Sequence, residues 1–226
     1  MLRLVALAAV TMLAFAGNSI LNRLALAETE TGPAAFALVR VASGAIVLTA
    51  LVMLNNGRAR LKRGIEWRKG ATLTVYMLGF SYAYVALDAG LGALILFGVV
   101  QVTMFAGALL SGEEVPARRS AGALIGFAGL VVLLWPGGAD TPPLTGAALM
   151  VIAAIGWGLY SLLGKHSSDP IATTAGSFLW ALLPVCGVAL VAMDNLTPAG
   201  TALAVLSGAV TSGLGYAMWY RILPQI

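Results

Sequence analysis

Leu91–Leu110 reads LGALILFGVVQVTMFAGALL, twenty residues without a charge. As a helix it rises about 30 Å, the thickness of a bilayer's hydrocarbon core. Apolar runs of this kind recur on both sides of it. The sequence predicts eight spans: Leu4–Ala27, Pro33–Leu54, Gly70–Leu87, Leu91–Leu110, Ser120–Pro136, Leu144–Gly164, Ile171–Met193 and Thr201–Arg221. Only short loops are expected between them, with a tight hairpin at Asp88-Ala89-Gly90. The expected fold is an all-α polytopic membrane helix bundle with no soluble domain.

Composition gives the same class. Hydrophobic residues make up 60% of the 226 positions, charged residues 10%, and mean hydropathy is +0.93. Soluble domains run at about 45–50% apolar and about 25% charged, so this chain has too few polar residues to cover a soluble surface. The 27 glycines suit helices that pack closely in lipid.

The net charge of +4 does not point to nucleic acid, because the cations cluster in short loops. With Arg3 and the N-terminus cytoplasmic, Arg58, Arg60, Lys62, Arg63, Arg68, Lys69, Arg118, Arg119, Lys165 and Arg221 all fall inside. Glu28, Glu30, Asp88, Asp140 and Asp194 fall outside, where no Lys or Arg is found. Arg23 and Arg40 break the pattern from within predicted spans. Arg3, the apolar stretch after it and Ala25-Leu26-Ala27 also resemble a cleavable secretory signal. Asn18, Asn22 and Arg23 interrupt that stretch, so it is read as a helix.

Weak internal similarity suggests a repeat. Ser81-Tyr82-Ala83-Tyr84 resembles Gly215-Tyr216-Ala217-Met218, and Pro33 opens the second span as Pro170 precedes the seventh. A five-helix unit follows, with the sixth span matching the first. An odd number of helices inverts the second copy, as in many secondary transporters.

Family resemblance rests on short motifs in order. Ser111-Gly112-Glu113-Glu114-Val115, then Gly122-Ala123-Leu124-Ile125-Gly126-Phe127-Ala128-Gly129, resemble the fourth-to-fifth helix junction of an EamA-like domain. Gly17-Asn18, Arg40 and Gly215-Tyr216 also fit. The chain thus resembles the drug/metabolite transporter superfamily along nearly its whole length. That resemblance implies two five-helix repeats and transport of small metabolites or drugs. The expected domains are 1–137, a complete first repeat, and 143–226, the first three helices of a second. The absence of counterparts to two helices suggests a truncated chain; a natural eight-helix protein is the alternative.

Enzyme signatures are missing. No G-x-S-x-G occurs, and Gly164-Lys165-His166 lacks the remainder of a phosphate loop. Cys186 has no partner for an intrachain disulfide, and His166 alone makes a metal site unfavourable. Neither an enzyme nor a cofactor is expected.

Polar residues within spans point to function, because each costs free energy in hydrocarbon. Arg40 should face the bundle interior and contact a substrate carboxylate or phosphate; the alternative is that it snorkels outward or bonds helix carbonyls. Asn18 and Asn22, at i and i+4, share one helix face. Asn18 and Gln101 are expected at a cavity, and Thr103 as interhelical glue. Tyr76, Tyr82, Tyr84, Trp157, Tyr160 and Trp180 either wall a solute site or pack. The candidate substrate-binding set is Asn18, Asn22, Arg40, Tyr82, Gln101, Trp157, Tyr160 and Trp180.

Further expectations are structural. Trp67 and Trp135 are read as interfacial anchors, and Gly122, Gly126 and Gly129 as a close-packing stripe. Glu113 and Glu114 are expected to pair with Arg118 or Arg119. No Asp or Glu falls in the middle of a span, so the solute should be neutral, zwitterionic or anionic. The resulting expectation is a multi-pass exporter of the bacterial inner membrane, partnered by the bilayer and a small molecule. Homodimerisation is left open. Alternatives are a non-transporting scaffold or inactive fragment, and then a membrane enzyme.

Overall fold

The computed structural model describes residues 2–54, 57–113, 117–134 and 143–225. Helices dominate: α1 (Leu2–Glu28), α2 (Pro33–Met53), α3 (Arg58–Gly64), α4 (Trp67–Ala83), α5 (Ala89–Leu110), α6 (Ala117–Leu134), α7 (Leu144–Gly164) and α8 (Pro170–Ala192). The last long helix is composite. It comprises α9 (Pro198–Leu206), a π-helical segment (Ser207–Leu214) and α10 (Gly215–Ile222). No strand occurs among the described residues.

Six of these helices are long and apolar enough to cross a membrane: α1, α2, α5, α7, α8 and the composite last helix. Two expected spans are not among these six. The third was expected over Gly70–Leu87, but α4 has 17 residues and ends at Ala83. The chain turns at Tyr84 through Asp88, so the hairpin begins earlier than expected and Ala89-Gly90 already belong to α5. The fifth, α6, has 18 residues and begins with Arg118 and Arg119 in its first turn. The loop between α2 and α4 also holds a helix, α3, where only loop was expected. Trp135, Glu114 and Asp140 lie outside the described residues.

Side-chain contacts sort the loops onto two ends. At one end Arg60 of α3 meets Asp169 before α8, and Lys165 after α7 meets Glu113 after α5. At the other end Asp194 reaches the start of α2, and Arg23 near the end of α1 reaches Asp88 before α5. Helix α4 begins beside Glu66 and Lys69 at the first end and finishes beside Arg23 at the second. Its 17 residues therefore run between the same two ends, about 26 Å along the axis. Arg58, Arg60, Lys62, Arg63, Arg68, Lys69 and Lys165 belong to the first end, which makes it strongly cationic.

The N-termini of α2 and α8 are built alike. Each starts with proline as its first residue, a position that needs no amide hydrogen. Each receives an aspartate on its free amides. Asp169 accepts from Ala172 N at 3.2 Å, and Asp194 accepts from Ala34 N at 2.7 Å. Negative charge is favourable there because the unpaired N–H groups concentrate the positive end of the helix dipole.

Close crossings knit the centre. A β-carbon at Gly64 would collide with Ala172 O, and one at Gly176 with the Gly64 backbone. One at Gly208, in the π segment, would collide with Arg40 O of α2. The expected α6 glycine stripe does not behave this way. Gly126 lies near Gln101 Oε1, but Gly122 and Gly129 face open space among the described residues. Glu113 is held by Lys165, with Nζ at 2.7 Å from Oε2, while the Arg119 side chain expected near it lies outside the described residues.

Candidate functional site

A polar cluster lies buried where α1, α2, α4 and the π segment meet. Its centre is Asn18, with 2% of its surface exposed. Asn18 Oδ1 accepts from Ser207 Oγ at 2.7 Å, Thr211 Oγ1 at 3.0 Å and Ser212 Oγ at 3.3 Å. These three hydroxyls share one spot because of the π turn. In an α-helix, residues 207 and 211 share a face while 212 lies a further step round; i-to-i+5 spacing brings Ser212 back towards Ser207. Asn22, one turn along α1, donates to Asn18 O at 2.8 Å and lies 3.4 Å from Ser207 Oγ. Ser81 Oγ sits 3.5 Å from Asn22 Oδ1.

Arg40 completes the cluster and is fully buried. Its Nε donates to Ser212 Oγ at 2.9 Å, and Nη2 donates to Tyr216 OH at 2.7 Å and Tyr76 OH at 3.1 Å. The guanidinium carbon lies 5.0 Å from the Phe80 ring centre and 5.3 Å from that of Tyr76, so cation–π attraction adds to the hydrogen bonds. No described carboxylate pairs with it, and Nη1 has no hydrogen-bond partner among the described residues. Arg40 neither snorkels outward, being fully buried, nor bonds helix carbonyls in its hydrogen bonds; hydroxyls take their place.

Beside this cluster lies a cavity of about 400 Å³ between α1, α5, α6, α7 and α10. Its wall is mostly apolar, with Met12, Phe105 and Trp219 among the lining residues and Gln101 and Lys165 as polar exceptions. A second void of about 10 Å³ touches Asn18, Tyr76, Phe80 and Tyr216. Phe15, Phe97 and Trp157 line both spaces. Their rings interlock, Phe15 meeting Trp157 edge-on at 5.4 Å and Phe97 at 6.4 Å between centres. They form an aromatic partition between the roomy apolar chamber and the cramped void that touches the polar cluster.

The expected site residues divide accordingly. Asn18, Asn22 and Arg40 come together in the polar cluster, Trp157 stands in the partition, and Gln101 lines the large cavity. Tyr82, Tyr160 and Trp180 line neither space. Tyr82 is half-buried on the last turn of α4. Tyr160 stacks on Tyr220 at 4.9 Å, and Trp180 packs over Gly70. The contacts of Tyr160 and Trp180 are with neighbouring helices, and depth in an apolar span does not distinguish a cavity wall from a helix contact. Thr103 bonds Val99 O of its own helix at 2.8 Å rather than a neighbouring helix.

The set missed from sequence is Phe15, Ser207, Thr211, Ser212 and Tyr216, whose hydroxyl lies 3.0 Å from that of Tyr76, a residue weighed as a site wall but left out of the candidate set. Three hydroxyls and two glycines, Gly208 and Gly213, within 207–213 of an apolar run were the available signal. Arg23 is structural: its Nη1 donates to Tyr84 O at 3.1 Å and Val85 O at 3.2 Å. A cation on those carbonyls complements the negative end of α4. No cluster of three or more metal-ligating side chains occurs among the described residues.

Known proteins resemble the chain along most of its length. It is 48% identical over 227 residues to an uncharacterized protein of Pseudomonas aeruginosa, covering 99% of this chain and 78% of that one. An Archaeoglobus fulgidus protein named an uncharacterized transporter is 26% identical over 231 residues, covering 96% of this chain and 78% of that one. A solved crystal structure of a protein superposes with a TM-score of 0.63 at 22% identity, over 94% of this chain and 78% of that one. No family model matches the chain.

Proposed function

The chain belongs to the family of that Pseudomonas aeruginosa protein, and on this premise we propose that it is a secondary membrane transporter exporting a small metabolite or drug by alternating access. The observation that carries the reading is the buried Arg40–Asn18–Tyr76–Tyr216 cluster beside a 400 Å³ cavity in an otherwise apolar bundle. Ionisable groups within apolar helices are costly and gather along solute pathways. The transporter name of the Archaeoglobus fulgidus relative fits the same reading.

Eight crossings belong to the proposal, with α4 and α6 spanning alongside the six longer helices. Helix α4 runs between the two ends of the bundle and α6 lies against α5, and thinning of the bilayer accommodates such short helices. The cationic end is cytoplasmic by the positive-inside rule, which sets the N-terminus inside and the protein in the bacterial inner membrane. The proline-first, aspartate-capped N-termini of α2 and α8 favour an inverted EamA-like repeat in which those helices correspond.

The large cavity reaches Lys165, at the cationic end, which supports reading this conformation as facing the cytoplasm. Release requires the aromatic partition and the opposite end to part. Flux tests the reading: full-length protein in proteoliposomes should move solute under a gradient, and Asn18→Ala should reduce that movement at least ten-fold. Absence of flux for every neutral, zwitterionic and anionic metabolite offered, with folding intact, would leave a non-transporting scaffold.

A further inference from the structure

Hydrogen-bond capacity at the cluster is unbalanced. Three donors converge on the single oxygen of Tyr76: Arg40 Nη2 at 3.1 Å, Asn18 Nδ2 at 3.3 Å and the Tyr216 hydroxyl at 3.0 Å. A neutral hydroxyl oxygen offers two lone pairs, whereas a carboxylate offers about four acceptor sites. Arg40 Nη1, fully buried, contributes donors that no described group accepts. The cluster therefore has surplus donors and a full positive charge, with neutral oxygens as the acceptors around the guanidinium. Guanidinium does not lose its proton in proteins, so the charge persists at any physiological pH.

We propose that the ligand of this site is a monoanion with a flat apolar body, its carboxylate on Arg40 between the Tyr76 and Tyr216 hydroxyls and its body in the large cavity. The proposal rests on the transporter reading for its context, and names the solute class that reading leaves open. The 10 Å³ void is too small for a carboxylate as it stands. Phe15, Phe97 and Trp157, shared by both spaces, must swing aside to admit one, and then close against the solute's apolar part.

Charge number follows from counting cations. Arg40 itself lines neither space and reaches the small one through the Tyr76 and Tyr216 hydroxyls, while Lys165, the cation among the described residues that lines the large cavity, is held by Glu113 at 2.7 Å. Arg23 is committed to Asp88 and two carbonyls at the far end of α4. One unpaired cation accommodates one negative charge; a dicarboxylate or phosphate monoester would bring a second charge with no partner into an apolar wall.

The test uses the full chain in detergent and the fluorescence of Trp157 and Trp219, which line the cavity. The probes are 3-phenylpropionate, its uncharged amide and the dianion phenylsuccinate. The carboxylate should bind at least about ten-fold more tightly than the amide, because charge-assisted hydrogen bonds are roughly twice as strong as neutral ones. Phenylsuccinate should bind no better than 3-phenylpropionate.

Asn18→Asp supplies an internal negative charge one hydroxyl away from Arg40, through Ser212 and Tyr76, and should erase the preference for carboxylate over amide. Equal affinity for acid and amide, no binding of either, or tighter binding of the dianion would overturn the proposal without any variant. A preference that survives in folded Asn18→Asp would also count against it. Transport failure is separable: carboxylate-selective binding without flux refutes the transporter reading alone, and flux of an uncharged solute without carboxylate preference refutes this inference alone.

Discussion

Asp194 caps a helix from 160 residues away: its Oδ2 accepts from the backbone N–H of Ala34 at 2.7 Å and lies 3.4 Å from that of Ala35. The contact ties the α8–α9 connection to the first turn of α2. Gly32 N donating to Asn195 O at 2.9 Å and the Thr31–Thr197 hydroxyl pair at 2.7 Å reinforce it. Gly32 allows the approach, since a β-carbon there would collide with the Asp194 side chain.

Removing that cap should therefore destabilise the bundle at this end. Asp194→Ala is expected to cost about 1 kcal/mol, within the range for lost N-caps, seen as a lower midpoint of thermal unfolding in detergent. Asp194→Asn keeps an acceptor but loses the charge, and should recover part of the loss. Equal midpoints for all three proteins would show that the clasp contributes nothing.

At the other end the Arg60–Asp169 pair makes stability depend on pH. Hydrogen bonding from Arg60, bidentate at 2.6 and 3.0 Å, holds the Asp169 carboxyl below the usual aspartate range. A lowered folded-state pKa means stabilisation that is complete above the unfolded aspartate value, about 3.9, and is lost as pH falls through the folded value. The wild type should melt above Asp169→Asn at pH 7. The gap should hold down to about pH 4 and close below it. A gap independent of pH would remove this pair as its cause.

Glycine substitutions distinguish close approach from open surface. Gly208→Ala puts a methyl group against Arg40 O, with Ser43 Oγ also in its path, so α2 and the π segment must separate. Overpacking of that kind costs about 1–3 kcal/mol, and here it should also disturb the Arg40–Ser212 bond. Gly122→Ala meets nothing within 4 Å among the described residues and should change stability by less than about 0.5 kcal/mol. Thermal unfolding of the two variants side by side tests the contrast.

Asn18→Leu should be more disruptive than its modest change in size suggests. It removes the acceptor that three buried hydroxyls, Ser207, Thr211 and Ser212, address together. Each polar group left unsatisfied costs about 1–3 kcal/mol. Thr211 keeps Ser207 O at 3.0 Å as an alternative, so the loss should fall on Ser207 and Ser212. Pairing the change with Ser207→Ala should cost less than the sum of the two single changes, as a double-mutant cycle of unfolding energies would reveal.

Legibility differed between residues for physical reasons. Arg40 and Asn18 stood out because polar groups in hydrocarbon are costly whatever surrounds them. The hydroxyls at 207, 211 and 212 did not, because their convergence depends on a π turn that no α-helical period anticipates. Lys165 as the partner of Glu113 was equally hidden, since 52 residues separate them and nearer arginines follow Glu113 in the chain.

The sequence by itself determined the helical character of the bundle, most of its long apolar segments and the placement of its costly polar residues. These follow from local causes: a chain in hydrocarbon must satisfy its own backbone hydrogen bonds, and a helix must be long enough to do so across the bilayer. Packing between helices decided which faces meet, why Tyr160 and Trp180 touch neighbouring helices while Tyr76 and Tyr216 flank an arginine with no described carboxylate, and which residues line the cavity. In water, burial marks the inward face of a helix by its apolar stripe. In lipid the outer face is as apolar as the core, so the pattern that would reveal facing is absent and only packing decides it.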